Sequence, residues 1–247
     1  MKKVLLSTAA IALGITLLPF SAQVSAQAAT LTVTDFDQLV LGAKIVGPVG
    51  PEVETTFLND AGDGIGDLSS SVSCPAGFAA CVPPENPAGT IYTYVHEVTP
   101  GVDLPNDAPF PNPAVVIPVD DAAGFRLNFV PAGFNGVVGY SVSEAEAALG
   151  AGNLPAVSET LDGNLVWRVP DLSEWNQGEK ITFFWQTTQN PSGPGGSYGV
   201  FGPDGTGSAA GPLPTPIAST DVPEPGAIAP LALLSLGLLL KRPQKSA

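Results

Sequence analysis

The chain has 247 residues, of which 44% are hydrophobic and only 13% charged, a balance that excludes wholesale disorder and suits one domain, or at most two. Its 28 glycines and 26 prolines interrupt it with turns, which favours many short strands over long helices. Residues 29–221 contain four basic and twenty-two acidic residues, hence a net charge of −18, which argues against nucleic acid and anionic lipid as partners.

The N-terminus has the pattern of a secretory signal peptide. Lys2 and Lys3 precede an apolar run over residues 4–18, and Ala26 and Ala28 supply the small residues of a cleavage site. The apolar run is too short for an ordinary membrane span. We therefore predict that residues 1–28 form a signal helix, which the general secretion machinery recognises and signal peptidase removes.

Segments that alternate apolar and polar residues recur between turn clusters over residues 29–203, and this period of two is typical of half-buried strands. A helical pattern is present only over residues 143–149. We predict an all-β extracellular domain, an antiparallel β-sandwich of about eight to ten short strands. The clearest predicted strands are residues 31–34, 91–98, 114–119, 125–129, 138–142, 165–169 and 181–188.

An Asp- and Gly-rich stretch that begins at Asn59 is a candidate calcium site. Calcium favours several oxygen ligands from a tightly turning loop, and Asn59, Asp63 and Asp67 could supply them. The stretch is not an EF-hand, because Ala61 occupies a ligand position and Ser70 replaces the bidentate Glu. A solvated turn is the alternative, and no other cofactor is indicated.

Cys74 and Cys81 are the only cysteines, and cysteines in an exported chain usually pair. A disulfide between them would close a short loop and stabilise the fold by roughly 2–3 kcal/mol. Free thiols are the alternative.

His96 is the only histidine, and it shares the face of a predicted strand with Tyr92 and Tyr94. No nucleophile elbow, zinc-protease motif or Walker loop accompanies it. We therefore expect a structural role for His96 and predict no catalytic residues.

Three tryptophans are candidates for contact with a ligand. Trp167 and Trp185 alternate with their neighbours in predicted strands, so we expect them in the core. Trp175 lies in a polar segment, residues 171–178, and is the one aromatic side chain that we predict to be exposed and to contact a ligand such as a sugar ring.

The C-terminal part of the chain has a linker composition followed by three ordered features. Residues 204–221 are mostly Gly, Pro, Ser, Thr and Ala, which predicts a flexible linker. The apolar run 227–240 would form a helix of about 21 Å against a hydrocarbon core of about 30 Å, so it is a marginal transmembrane helix. The motif before it and the basic tail after it consist of Val222, Pro223, Glu224 and Pro225, then Lys241, Arg242 and Lys245.

The order of these features over residues 222–247 resembles the PEP-CTERM sorting domain. The resemblance implies recognition by an exosortase, a membrane-embedded enzyme similar to cysteine proteases. It also implies release or transfer to the outer surface, often in bacteria that produce exopolysaccharide or biofilm matrix. A plain C-terminal membrane anchor is the alternative, with the basic tail on the cytoplasmic side.

We therefore expect an exported, non-enzymatic surface or extracellular-matrix protein of a Gram-negative-type bacterium, held in the inner membrane as a precursor. The alternative is a carbohydrate-binding module for exopolysaccharide, with or without calcium. A hydrolase is a third hypothesis, which no motif in the sequence favours.

Overall fold

The computed structural model describes residues 28–45, 52–171, 173–203 and 205–217. The sorting motif, the apolar run after it, the basic tail and residues 1–27 of the predicted signal peptide lie outside these ranges. Within them, no helix has both the length and the apolar character needed to cross a bilayer.

The protein is mostly β-sheet, with 48% of residues in strands and one α-helix, as predicted for an all-β chain. The strands are β1 (Ala29–Thr30), β2 (Val33–Asp35), β3 (Leu41–Lys44), β4 (Val53–Leu58), β5 (Gly64–Pro75), β6 (Tyr92–Pro100), β7 (Gly124–Leu127), β8 (Phe134–Tyr140), β9 (Ala156–Glu159), β10 (Leu165–Arg168), β11 (Ile181–Thr187), β12 (Pro191–Gly202) and β13 (Gly205–Pro214). The helices are a 3-10 turn (Phe36–Gln38) and α1 (Val142–Leu149).

The thirteen strands form one mostly antiparallel sheet, which exceeds the eight to ten strands that we predicted. Its order is β1-β9-β10-β7-β12-β13-β4-β5-β6-β11-β8-β2, with β3 paired to β5 beside this path. The β2–β8 pair is parallel. Strands β7 and β11 are therefore far apart along the sheet.

The core joins these distant strands through aromatic rings. The ring of Phe125 on β7 stacks on Phe183 of β11 at 5.0 Å between centroids, and it lies 5.7 Å from the ring of His96 on β6. It also stacks on Tyr198 of β12 at 6.0 Å and tilts against Trp167 of β10 at 5.4 Å. One face of β7, β10 and β12 thus packs against β6 and β11, and the opposite face is partly exposed.

Helix α1 matches the predicted helical segment and begins with a side-chain cap. Ser141 accepts a hydrogen bond from the backbone N–H of Glu144 at 3.2 Å, which satisfies a donor at the helix start. Asp37 of the 3-10 turn accepts hydrogen bonds from the N–H of Ser143 and the hydroxyl of Ser141, and these bonds lower the pKa of its carboxyl. The helix is thereby fixed to the turn between β2 and β3.

Two predicted segments differ in the structure. Residues 114–119 are not a strand. They form an apolar loop beside the start of β5 and make only an isolated bridge there, between Val116 and Gly64. The predicted linker is also wrong over residues 205–214, which form β13 and pair with β12 along their length.

The small residues of β13 are explained by close packing against its neighbours. A Cβ atom added at Gly207 would lie 2.7 Å from the side chain of Ile65. At Gly211 it would lie 2.6 Å from the ring of Tyr198, which is fully buried. Strand β13 is rich in glycine because neighbouring side chains leave no space for a Cβ atom at these positions.

This close packing predicts that Gly211→Ala lowers the free energy of unfolding by roughly 1–3 kcal/mol, because the new methyl group overlaps a fixed aromatic ring. Gly193→Ala on β12 is the matched control, since a Cβ atom there meets nothing within 4 Å. We expect the control to be neutral or slightly stabilising. Urea denaturation measures both, and equal stabilities of the two variants would contradict the packing of β13.

Candidate functional site

His96 is fully buried, and both of its ring nitrogens are hydrogen-bonded. The indole N–H of Trp185 donates to Nε2 at 3.0 Å, and Nδ1 lies 3.0 Å from the hydroxyl of Ser70. An indole N–H can only donate, so Nε2 must be unprotonated and Nδ1 carries the proton of the neutral ring. Burial lowers the pKa of His96 from 6.5 to about 3. The lone histidine therefore serves the core as a neutral hydrogen-bonding group.

Our prediction that Trp175 is exposed is wrong, because the structure buries its side chain completely. The ring packs edge-on against Phe183 at 5.7 Å, and the indole N–H donates to the carbonyl of Glu179 at 2.6 Å. The polar residues around Trp175 stay near the surface while the ring points inward. Trp175 cannot contact a ligand without unfolding this loop.

Two of the three predicted calcium ligands, Asn59 and Asp67, accept hydrogen bonds within the fold. The side-chain oxygen of Asn59 accepts hydrogen bonds from the N–H groups of Ala61 and Asp63, both at 2.9 Å, which closes the turn between β4 and β5. Asp67 belongs to strand β5, is 3% exposed, and accepts the N–H of Leu104 at 3.0 Å. Burial raises the pKa of the Asp67 carboxyl. In the described part of the chain, no group of three or more His, Cys, Asp or Glu side chains is arranged to hold a metal ion.

Cys74 at the end of β5 and Cys81 are joined by a disulfide, with their Cα atoms 5.6 Å apart. The side-chain amide of Asn86 donates to the sulfur of Cys74 at 3.3 Å and to the hydroxyl of Tyr92 at 3.2 Å. The disulfide thus closes the loop between Cys74 and Cys81, and Asn86 connects this loop to β6.

The remaining candidate is the solvent-facing side of β10, β7, β12 and β13. Side chains alternate along a strand, so the buried residues Phe125, Trp167 and Tyr198 leave their neighbours pointing outward. We call this surface the arginine face, and it consists of Arg126, Asn128, Arg168, Ser197, Phe201 and Ser208.

Two glycines allow the large side chains of the arginine face to lie flat. Arg168 and Phe201 both pair with Gly124, one on each side of it, and a Cβ atom at Gly124 would lie 2.7 Å from the Phe201 ring. Arg126 pairs with Gly199, where a Cβ atom would lie 3.1 Å from the Nε of Arg126. The absence of side chains at these two positions leaves room for the ring and the guanidinium.

Both guanidinium groups lie against the Phe201 ring. The central carbon of Arg126 is 5.7 Å from the ring centre, and that of Arg168 is 5.3 Å from it. These distances are within the range of cation–π attraction. Phe201 therefore holds two positive charges close together on one surface.

A pocket of about 210 Å³ opens beside Arg168 at the edge of the arginine face. Asp121, Asp171 and Ser173 contribute to its lining, and the hydroxyl oxygen of Ser173 is buried without a hydrogen-bond partner among the described residues. The pocket thus adds polar groups that a ligand on the arginine face could reach.

No family model matches the chain, and no curated protein or solved structure matches it either. The candidate site therefore depends on the geometry of this chain alone.

Sequence reasoning named none of the residues of the arginine face. One available signal was the scarcity of cations, because Lys44, Arg126, Arg168 and Lys180 are the only basic residues between positions 29 and 221. The other signal, two glycines directly opposite the arginines, requires the strand register and cannot be read from the sequence.

The buried His96 predicts that the protein loses stability as the pH falls below 6.5. Below pH 6.5, His96 becomes protonated in the unfolded chain, whereas in the folded chain it stays neutral until the pH is about 3. The contribution of His96 to stability is therefore fully present above pH 6.5 and decreases as the pH falls toward 3. Between pH 7.5 and 5.5 we expect a loss of about 1.4 kcal/mol. Ordinary carboxyl groups titrate below this window, whereas Glu54 and Asp67, whose pKa values burial raises, act in the opposite direction to His96.

Urea denaturation at the two pH values measures this loss. The control is His96→Gln, which is expected to be less stable at both values and to keep only the pH dependence of the remaining groups, since glutamine does not titrate. A wild-type stability that is the same at pH 7.5 and 5.5 would show that His96 is not held neutral.

Proposed function

We propose that the chain is an exported, non-enzymatic protein of the bacterial surface or extracellular matrix. The observation that carries the proposal is the order of features in residues 222–247: a Pro-Glu-Pro motif, a marginal apolar run and a basic tail. An apolar run of about 14 residues is a poor permanent anchor, yet it can present a motif to a membrane enzyme. We infer that an exosortase processes this segment after the N-terminal signal has directed export.

We further infer that the folded domain is a β-sandwich, with β7, β10 and β12 in one layer and β6 and β11 in the other. The rings of Phe125, Phe183 and Tyr198 support this arrangement, because they join strands that are distant along the sheet. His96 supports a non-enzymatic role, because it is buried and both of its nitrogens are engaged within the core.

The strand β13 changes the expected position of the domain relative to the sorting motif. The described residues end at Ile217, and Val222 begins the motif, so five residues at full extension span at most about 18 Å. An enzyme or membrane that binds the sorting motif therefore keeps the folded domain within this distance of itself. Processing near Pro225 would leave a short tether rather than a long linker.

Processing predicts that the mature surface form lacks the residues after the region of Pro225. Replacing Pro223, Glu224 and Pro225 with alanine should leave export intact and trap an uncleaved, membrane-bound precursor. The prolines lack N–H groups and favour extended backbone, so this change removes both the charge and the accessible conformation of the motif. Intact-mass measurement of the surface form reads out the C-terminus directly.

The matched control replaces Ser219, Thr220 and Asp221 with alanine, which alters three residues just before the motif. We expect the control to be processed like the wild type. A wild-type surface form that retains residues 241–247 would contradict processing and favour a simple anchor.

A further inference from the structure

The two lysines of the described domain have carboxylate partners, and the two arginines do not. Lys44 pairs with Glu52 at 2.6 Å, and Lys180 pairs with Glu97 at 2.8 Å and Glu144 at 3.1 Å. Among the described residues, no carboxylate oxygen lies within 4.0 Å of either guanidinium group. The domain contains many acidic residues that could pair with its arginines. Because neither arginine is paired within the described part of the domain and both lie on one face, their position points to an external anion.

The arginine face also contains hydrogen-bonding groups with spare capacity. The amide of Asn128 donates to the hydroxyl oxygens of Ser197 at 3.2 Å and Ser208 at 3.4 Å. Each serine hydroxyl therefore accepts a bond from Asn128 and keeps its own hydrogen available to donate.

These groups favour a carboxylate over other anions and a glycan over other carriers. A guanidinium binds the two oxygens of a carboxylate through two parallel hydrogen bonds. The neutral serine and asparagine groups suit the hydroxyls of a sugar chain that lies along the flat sheet. Because residues 29–221 have a net charge of −18, the domain repels a doubly charged phosphate group more strongly than a singly charged carboxylate.

We propose that the arginine face binds a glycan that contains uronic acids, with a sugar carboxylate held by Arg126 and Arg168. Phe201 positions the two guanidiniums, since both lie against its ring. The pocket beside Arg168 leaves space for a neighbouring sugar unit. This inference gives the proposed matrix protein a ligand class and rests on its export to the surface.

The test is a calorimetric titration of the purified full-length chain with galacturonic acid oligomers. The matched ligand is the methyl ester of the same oligomers, which keeps the sugar chain but removes the carboxylate charge. We expect the ester to bind at least about tenfold more weakly, because a charge-assisted bond is worth about 1.4 kcal/mol or more. Because the assay uses the unprocessed chain, its outcome does not depend on the sorting prediction.

Arg168→Gln is the principal variant, since Arg168 is exposed and its loss should not disturb folding. We expect it to weaken binding of the acid oligomers about tenfold, and Arg168→Lys to recover only part of the loss, because lysine keeps the charge but not the paired donors. Lys44→Gln removes the same charge elsewhere and should leave the affinity unchanged.

Four results would overturn the proposal. The first is no binding of the acid oligomers by the wild type, and the second is equal binding of the acid and the ester. The third is an equal loss in Arg168→Gln and Lys44→Gln, which would mean general charge attraction rather than a site. Poly-glutamate that binds as tightly as the acid oligomers would likewise show that the face does not recognise a glycan.

Discussion

Packing of Phe125 against Phe183 and Tyr198 is the interaction on which the rest of the fold depends. These rings come from β7, β11 and β12, and β7 and β11 are far apart along the sheet. The contact can form only if distant strands of one sheet face each other. Once they do, β7 and β12 each have an inner face that is buried and an outer face that is partly exposed.

Several polar atoms of the buried side have hydrogen-bond partners within the protein. Trp167 donates its indole N–H to the carbonyl of Gly139 at 3.0 Å, and the Tyr198 hydroxyl donates to the carbonyl of Pro212. His96 accepts from Trp185 and meets Ser70, so it remains neutral within the core. Buried polar groups cost free energy unless they are paired, so these groups stabilise the core. The groups that can contact a ligand therefore lie on the outer face.

The sequence predicted strands well where alternation was clear and poorly where glycine and serine dominated. Strands β6, β7, β10 and β11 were found because large residues recur at every second position, although Val95 and Phe184 on their other faces are also apolar and buried. Strand β13 was mistaken for a linker, since Gly207 and Gly211 are required by neighbouring side chains that the sequence does not reveal. Trp175 was misplaced because the polarity of a segment does not determine where one ring points. The arginine face depends on the register across four strands, which only the structure supplies.

The central claim is that distant strands close over a dry core, and the protonation state of His96 tests it most directly. Nitrogen-15 NMR at pH 5 distinguishes the two neutral forms of the ring from the charged form. At this pH an ordinary histidine, with a pKa of about 6.5, is mostly charged. The account predicts a neutral ring with its proton on Nδ1 and an unprotonated Nε2 that accepts from Trp185. A charged ring at pH 5, with protons on both nitrogens, would contradict it.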